Sequence, residues 1–219
     1  MAASGHSAQG GPAEGGVQDR LVAAAEELLC GRGFNETSVR DIAAAADCNV
    51  ASVNYYFGGK DNLYVEVWHR HLAELRDVRL ASIEQVMSRG GQPQLEELLK
   101  SYANSFIEPL VDGGRSERFI TLMAREMVDP HLPRDMFLND MIVPVMEAFG
   151  QALQRICPWL EAGQTRLVIL SIVGQLMQTV LANGMFERGH HPAMPKLDLE
   201  EMVEHIVRFS AAGIRTYQK

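Results

Sequence analysis

Thr37 to Lys60 reads TSVRDIAAAADCNVASVNYYFGGK, two short helices separated by a tight turn. Ser38 can cap the first, and Asp41, three residues on, can reach back to complete a capping box. Val39, Ile42, Ala43 and Ala46 recur at helical spacing, so this helix turns one side inward. Asp47-Cys48-Asn49 ends it, because Asp tolerates the left-handed turn conformation and Asn49 is a good cap for the next helix. That second helix begins near Val50. Val53 and Phe57, four apart, face the core, which leaves Ala51, Ser52, Asn54, Tyr55 and Tyr56 over the outward surface. Small side chains let a helix approach base edges, Asn can pair with adenine, and hydroxyls reach phosphate oxygens. The pattern is that of a helix-turn-helix DNA reader.

Gly33-Phe34 to Lys60, with Thr37-Ser38, Ile42-Ala43, Tyr55-Tyr56-Phe57 and Lys60, resembles the amino-terminal domain of the TetR/AcrR family of bacterial transcriptional regulators. The resemblance extends from Val17 to about Arg76. Two positions depart from it: Asp47 stands where the family usually has a turn glycine, and Gly59 where a serine or asparagine often caps the next helix. It implies that a helix over Leu21 to Arg32 braces the motif and that a long helix leads away from about Lys60. It also implies that Thr37, Ser38, Tyr55, Tyr56 and Lys60 hold phosphates while Arg40, Ala51, Ser52 and Asn54 lie nearest the bases. Helix amino termini near Ser38 and Asn49 can add backbone N–H groups to the phosphate contacts. Either tyrosine could instead pack under the helix, Tyr55 the more readily. The wording of Val53 to Gly58, Ala124-Arg125-Glu126-Met127 and Ile142-Val143-Pro144 is similar, more loosely, to the CecR-like and PsrA-like branches.

Charge pulls the other way. The formal net charge is −8, and between Val17 and Asp61 the cations Arg20, Arg32, Arg40 and Lys60 face Asp19, Glu26, Glu27, Glu36, Asp41, Asp47 and Asp61. Affinity for nucleic acid depends on neutralising phosphates, so this segment alone binds weakly and with a shallow salt dependence. Position compensates in part: Arg40 and Lys60 flank the exposed helix, and a dimer doubles every contact.

The 219 residues suffice for one large or two modest domains. Scarce β-branched alternation favours an all-α chain, and the resemblance implies a three-helix helix-turn-helix domain over residues 17–77 and a helical ligand-binding and dimerisation domain over residues 78–219. Residues 1–16, MAASGHSAQGGPAEGG, are Gly/Ala-rich, without the basic start or apolar stretch of a signal peptide or anchor, and read as a disordered tail. Cys30, Cys48 and Cys157 lack metal-ligand spacing and fit a reducing cytoplasm as packing residues.

Asp61 to Met87 has no proline or glycine, and Leu63, Val67, Leu72, Leu75 and Ile83 keep a helical stripe, so one long helix runs to Gly90-Gly91. Breaks at Pro93, Asp112-Gly113-Gly114, Asp129-Pro130, Pro133, Pro158, Gly163 and Gly189 to Pro195 divide the remainder into about five further helices. Leu167 to Phe186 is apolar enough to raise a membrane span. Gln175, Gln178 and Asn183 in its middle favour a buried helix in a core or interface instead. With the last helix, Leu199 to Tyr217, it resembles the family's four-helix dimer interface. The family therefore implies interface roles for Gly174, Met177, Leu181, Ala182, Met202, Ile206 and Phe209.

This half is rich in methionine and aromatic residues, which adapt to varied apolar ligands. An effector pocket, implied by the family more than by these residues, would draw on Tyr102, Phe106, Met123, Arg125, Met127, Phe149, Gln175 and Gln178. An ordinary helical core accounts for the same residues one by one, and Arg125 with Glu126 could form an internal salt bridge. No nucleophile motif or phosphate loop stands out. His69 and His71, two apart, share no helix face, and His190-His191 sits in a Pro/Gly loop, so neither pair makes a metal site.

The expectation is a cytoplasmic, homodimeric, sequence-specific regulator without cofactor or catalytic residues. It would hold a near-palindromic double-stranded operator, acting most often as a repressor, and release it to a small apolar or amphipathic effector. The alternative is an all-α small-molecule-binding protein or enzyme without a DNA role.

Overall fold

The computed structural model describes residues 14–111, 115–188 and 198–218. Every regular element among them is helical: α1 (Glu14–Arg32), α2 (Val39–Ala45), α3 (Val50–Phe57), α4 (Lys60–Met87), α5 (Leu95–Val111), α6 (Arg115–Val128), a π-helical turn (Leu138–Ile142), α7 (Val143–Ile156), α8 (Ala162–Arg188) and α9 (Leu199–Arg215). The all-α reading holds, and the five helices expected after the long one are α5 to α9. α1 starts at Glu14 and so takes in the last three residues assigned to a tail. Residues 1–13 of that tail, the Asp112–Gly114 break and the His190-His191 loop lie outside the described residues.

The described residues form two compact units, one holding those up to Arg70 together with Arg118–Leu132, the other holding those from His71 to Glu117 together with those from Pro133 onward. The boundary expected at 77–78 falls inside α4, which contributes Lys60 to Arg70 to the first unit and His71 onward to the second. Most of α6 groups with the first unit, although the sequence placed it in the ligand domain.

The first unit is nucleated by apolar residues one and two turns apart. Leu21, Val22, Ala25 and Leu29 of α1, Ile42 and Ala43 of α2, Val53 of α3 and Leu63, Val67 and Trp68 of α4 are all buried. Each such large side chain removed from water is worth roughly 1.5–3 kcal/mol. α1 closes at Gly33, whose φ of +87° belongs to the left-handed region and whose N–H reaches the Leu29 carbonyl at 3.0 Å.

The second unit has a continuous apolar core. It joins Ile83 and Val86 of α4 to Leu98, Leu99, Tyr102 and Phe106 of α5, Phe149 and Leu153 of α7, Ile169, Ile172 and Leu176 of α8, and Val203, Ile206 and Ile214 of α9. Asp198 caps α9, its Oδ1 accepting from the amides of Glu200 at 2.9 Å and Glu201 at 3.2 Å. The apolar stretch Ala162–Asn183 is long enough to cross a bilayer by length and composition. Val168, Ile169, Ile172 and Leu176 turn its inner side into this core, as expected of a buried helix. Its other side exposes Leu167, Leu170, Met177 and Leu181.

Candidate nucleic-acid interface

The capping box forms as the sequence predicts. Asp41 N–H donates to Ser38 Oγ at 3.2 Å, and the Ser38 amide and hydroxyl both donate to Asp41 Oδ2, at 3.0 and 2.6 Å. Those two hydrogen bonds hold the Asp41 carboxyl below its ordinary value. The turn is set by Asp47 at φ +51°, the one non-glycine among the described residues in the left-handed region. Asn49 Oδ1 then accepts from the Ala51 amide at 2.9 Å, and Gly58 ends α3 at φ +75°.

Ten residues were expected at DNA, and they separate into two groups. Thr37, Ser38, Asn49 and Lys60 are built into the motif. Thr37 is 1% exposed and donates its hydroxyl to the Gly33 carbonyl at 2.7 Å, so its side chain is not presented to a phosphate. Lys60 Nζ donates to the carbonyls of Phe34 at 2.9 Å and Thr37 at 3.1 Å and sits 3.9 Å from the Phe34 ring centre. Those contacts tie the α1–α2 loop to the start of α4. The local reason is shared: each of these residues adjoins a helix end whose backbone groups need partners.

Arg40, Ala51, Asn54 and Tyr55 are exposed, and Ser52 and Tyr56 are half-buried. Tyr55 is 77% exposed, on the outward surface where the sequence places it and not in the alternative position under the helix. It meets Tyr56 edge-on at 4.9 Å, while Tyr56 leans toward Phe57. This surface offers a guanidinium, an amide, a phenol and a small-residue helix face, the chemistry that base edges and phosphates accept.

Several supports had no clear signal in the sequence. Arg20 of α1 donates through Nε to the Ala46 carbonyl at 3.1 Å and through Nη2 toward Cys48 Sγ at 3.4 Å, fixing the end of α2 and the turn. Arg125 Nη2 reaches the Gly31 carbonyl at 3.0 Å, and a Cβ at Gly33 would stand 2.8 Å from its Nη1. Glu126, almost fully buried, accepts from the Tyr64 hydroxyl at 2.8 Å and from the amides of His131 and Leu132 at 2.9 and 2.8 Å. Burial, with a further contribution from Glu126, pushes the Tyr64 phenol well above its ordinary value, so it stays a donor. Phe34 stacks on His131 at 4.0 Å, and Asn35 Nδ2 donates to Asp129 at 2.7 Å.

The expected effector residues are distributed over three places. Tyr102, Phe106 and Phe149 meet in the core of the second unit, with Tyr102 stacked on Phe149 at 4.1 Å and 11°. Met123, Arg125 and Met127 belong to the first unit, where Met123 is half-buried and Met127 80% exposed. Gln175 and Gln178 line an open groove of about 630 Å³ between α8 and α9, together with Gly174, Ala182, Met202, Ile206 and Phe209. Of the expected interface residues, Met177, Leu181 and Phe209 are exposed by 43, 58 and 64%, whereas Ile206 at 2% is a core residue.

Two capped short helices, braced by a third and presenting the second outward, define a helix-turn-helix DNA-binding protein. Residues 21–67 match the family described as bacterial regulatory proteins, tetR family, and residues 95–214 match the HTH-type transcriptional dual regulator CecR, C-terminal domain. The chain belongs to the TetR family of DNA-binding transcriptional regulators, with a CecR-type carboxy-terminal domain, and the family is not enzymatic. A curated relative is YttP of Bacillus subtilis (strain 168), assigned as an HTH-type transcriptional regulator. It is 23% identical over 189 residues, covering 85% of this chain and 90% of YttP. Among solved structures, a regulator from Mesorhizobium loti MAFF303099 assigned to the TetR family superposes with a TM-score of 0.68 at 17% identity, over 94% of this chain and 98% of that one. The fatty acid degradation regulator FadR of Bacillus halodurans superposes with a TM-score of 0.56 at 19% identity, over 89% and 98%.

Proposed function

We propose that the chain acts as a homodimeric repressor that holds a near-palindromic operator through two copies of α3 and releases it when a small apolar or amphipathic effector binds the second unit. The observation that carries this reading is the outer face of α8 and α9. Leu167, Leu170, Met177, Leu181 and Phe209 are exposed together beside the groove floored by Gly174 and Ala182. Contiguous apolar surface of this kind marks an interaction site. A second copy pairing there by two-fold symmetry supplies the two readers that a palindromic site requires. Pairing also offsets the acidity of the reader unit, because two copies double the contacts of Arg40, Asn54 and Tyr55.

In this reading Arg40, Ala51, Ser52 and Asn54 lie at base edges, and Tyr55 and Tyr56 at phosphates. Thr37, Ser38, Asn49 and Lys60 hold the readers in place. The effector acts by differential affinity for two conformations, since a ligand that binds both equally shifts nothing. The core of Tyr102, Phe106 and Phe149 is apolar and aromatic, which suits an effector of that character. The mode of regulation is tested with a reporter driven by the upstream region of the chain's own gene. Deletion of the regulator raises expression if it represses, and a fall in expression overturns the repressor reading.

A further inference from the structure

Arg79, on the half of α4 that belongs to the second unit, is 5% exposed, and no carboxylate pairs with it among the described residues. Its Nη1 donates to the thioether of Met141 at 3.3 Å, its guanidinium lies 4.1 Å from the centre of the Phe106 ring, and its buried Nε has no hydrogen-bond partner. A thioether is a weak acceptor, and a cation over an aromatic face recovers only part of the cost of removing a charge from water. Burial accordingly pushes the guanidinium below its ordinary value. The nearby Tyr102 phenol is itself pushed up by burial, stays neutral at pH 7, and cannot act as counter-ion. Arg76, one turn earlier on the same helix, shows the contrast. It is partly exposed, pairs with Asp77 at 2.9 Å, and donates to the Asp140 carbonyl at 3.3 Å.

We infer that Arg79 is the anion anchor of the effector site and that the effector is a monocarboxylate carried on an apolar body. This deepens the effector reading above and rests on it for its regulatory consequence. A carboxylate offers two oxygens in the geometry a guanidinium fork accepts, and bound side-on across Nε and Nη2 it would satisfy the orphan Nε while Nη1 stays on the Met141 sulfur. One uncompensated cation matches a single negative charge rather than a phosphate dianion. Met141 is half-buried and lies in the π-helical turn, a backbone irregularity that recurs at functional sites. Its flexible side chain can adjust beside the guanidinium as a ligand enters without disturbing a packed element. The body of the ligand would insert among Phe106, Tyr102 and Phe149, which now pack together in the core, and the Ser82 and Ser105 hydroxyls stand 3.0 Å apart on the same α4 and α5 helices.

The test uses the full chain and two pairs of probes, decanoate with decanol, and 4-phenylbutyrate with 4-phenylbutanol. Binding is read by titration calorimetry and by the shift in unfolding temperature, with no DNA present. At least one carboxylate is expected to bind roughly 30-fold more tightly than its alcohol, the scale of a charge-assisted hydrogen bond. The member of the series that binds tells an aliphatic from an aromatic body. Arg79→Met should remove that preference and, by replacing an unpaired buried charge with an apolar side chain of similar length, unfold at the same temperature as the wild type or higher. Arg79→Lys keeps the charge without the fork and should retain part of the preference; it decides the matter if Arg79→Met does not fold. The inference is overturned if neither carboxylate is preferred over its alcohol, or if the preference survives intact in Arg79→Met. Carboxylate binding that fails to release DNA would leave the anchor standing and overturn the effector reading. Operator binding without any carboxylate preference would do the opposite.

Discussion

The outward faces of α3 and of α8 with α9 are both exposed, and they are written in different alphabets. α3 exposes Ala51, Asn54 and Tyr55 on a helix held by side-chain caps, whereas α8 and α9 expose Leu167, Leu170, Met177, Leu181 and Phe209. A face that meets a hydrated, charged groove needs little apolar area and accurate placement, so its supports are hydrogen bonds at helix ends. A face that meets another protein gains its energy from apolar burial and tolerates looser local geometry. The difference lets partner type be argued from composition, and substitutions on the two faces should fail differently.

The largest effect is expected from Leu170→Glu with Phe209→Glu. Two charges placed on the apolar face should give a monomer by sedimentation and weaken operator binding about 100-fold or more, since both half-sites are no longer held together. A retained dimer would show that the face serves something else. Next is Glu126→Ala, which strands the Tyr64 hydroxyl and two amides in a buried setting. A loss of about 2–3 kcal/mol in urea unfolding is expected.

Arg40→Ala should cost about 1–3 kcal/mol on operator DNA and little on random duplex. Thr37→Val, by contrast, should cost about 1 kcal/mol of stability while leaving the salt slope of DNA binding unchanged, because its hydroxyl serves the Gly33 carbonyl. Equal losses on both DNAs for Arg40→Ala, or a shallower slope for Thr37→Val, would reverse the division between readers and supports. A smaller effect belongs to Asp47→Gly. Relief of the left-handed backbone at φ +51° should stabilise the chain by about 0.5–1 kcal/mol in thermal unfolding.

The smallest effect is the pH dependence of the capping box. Asp41 titrates lower folded than unfolded, so its stabilisation is complete above the ordinary carboxylate value and fades as pH falls through the depressed one. Asp41→Asn should flatten that acid limb; an unchanged limb would show that the box contributes nothing there.

The range of each interaction decides whether the sequence discloses it or conceals it. Ser38, Asp41, Asn49 and the left-handed Asp47 act within three residues of their partners, so α2, the turn and α3 are legible directly. Lys60 is different in kind. Residue type says that it is cationic, but whether its ammonium meets phosphate or the carbonyls of Phe34 and Thr37 depends on a loop more than twenty residues away. The contacts of α6 with α1 and α4 span still longer separations, as in the pairs Tyr64 with Glu126 and Gly31 with Arg125. The family resemblance therefore grouped Met123, Arg125 and Met127 with the carboxy-terminal helices, while their contacts group them with the first compact unit. Arg79 reads as one more surface cation on a long helix, and only the packing of α4 on α5 and the π-helical turn reveals its burial.

The most direct test of the central claim, that a dimer of this acidic chain reads DNA through α3, is a fluorescence-anisotropy titration. The purified protein would be titrated against DNA from its own upstream region across a salt series, with random duplex as control. The account predicts two chains per duplex, a clear preference over random DNA, and affinity that falls with salt along the shallow slope of an acidic reader unit with few cationic contacts. Equal binding to both duplexes at every salt concentration would contradict it.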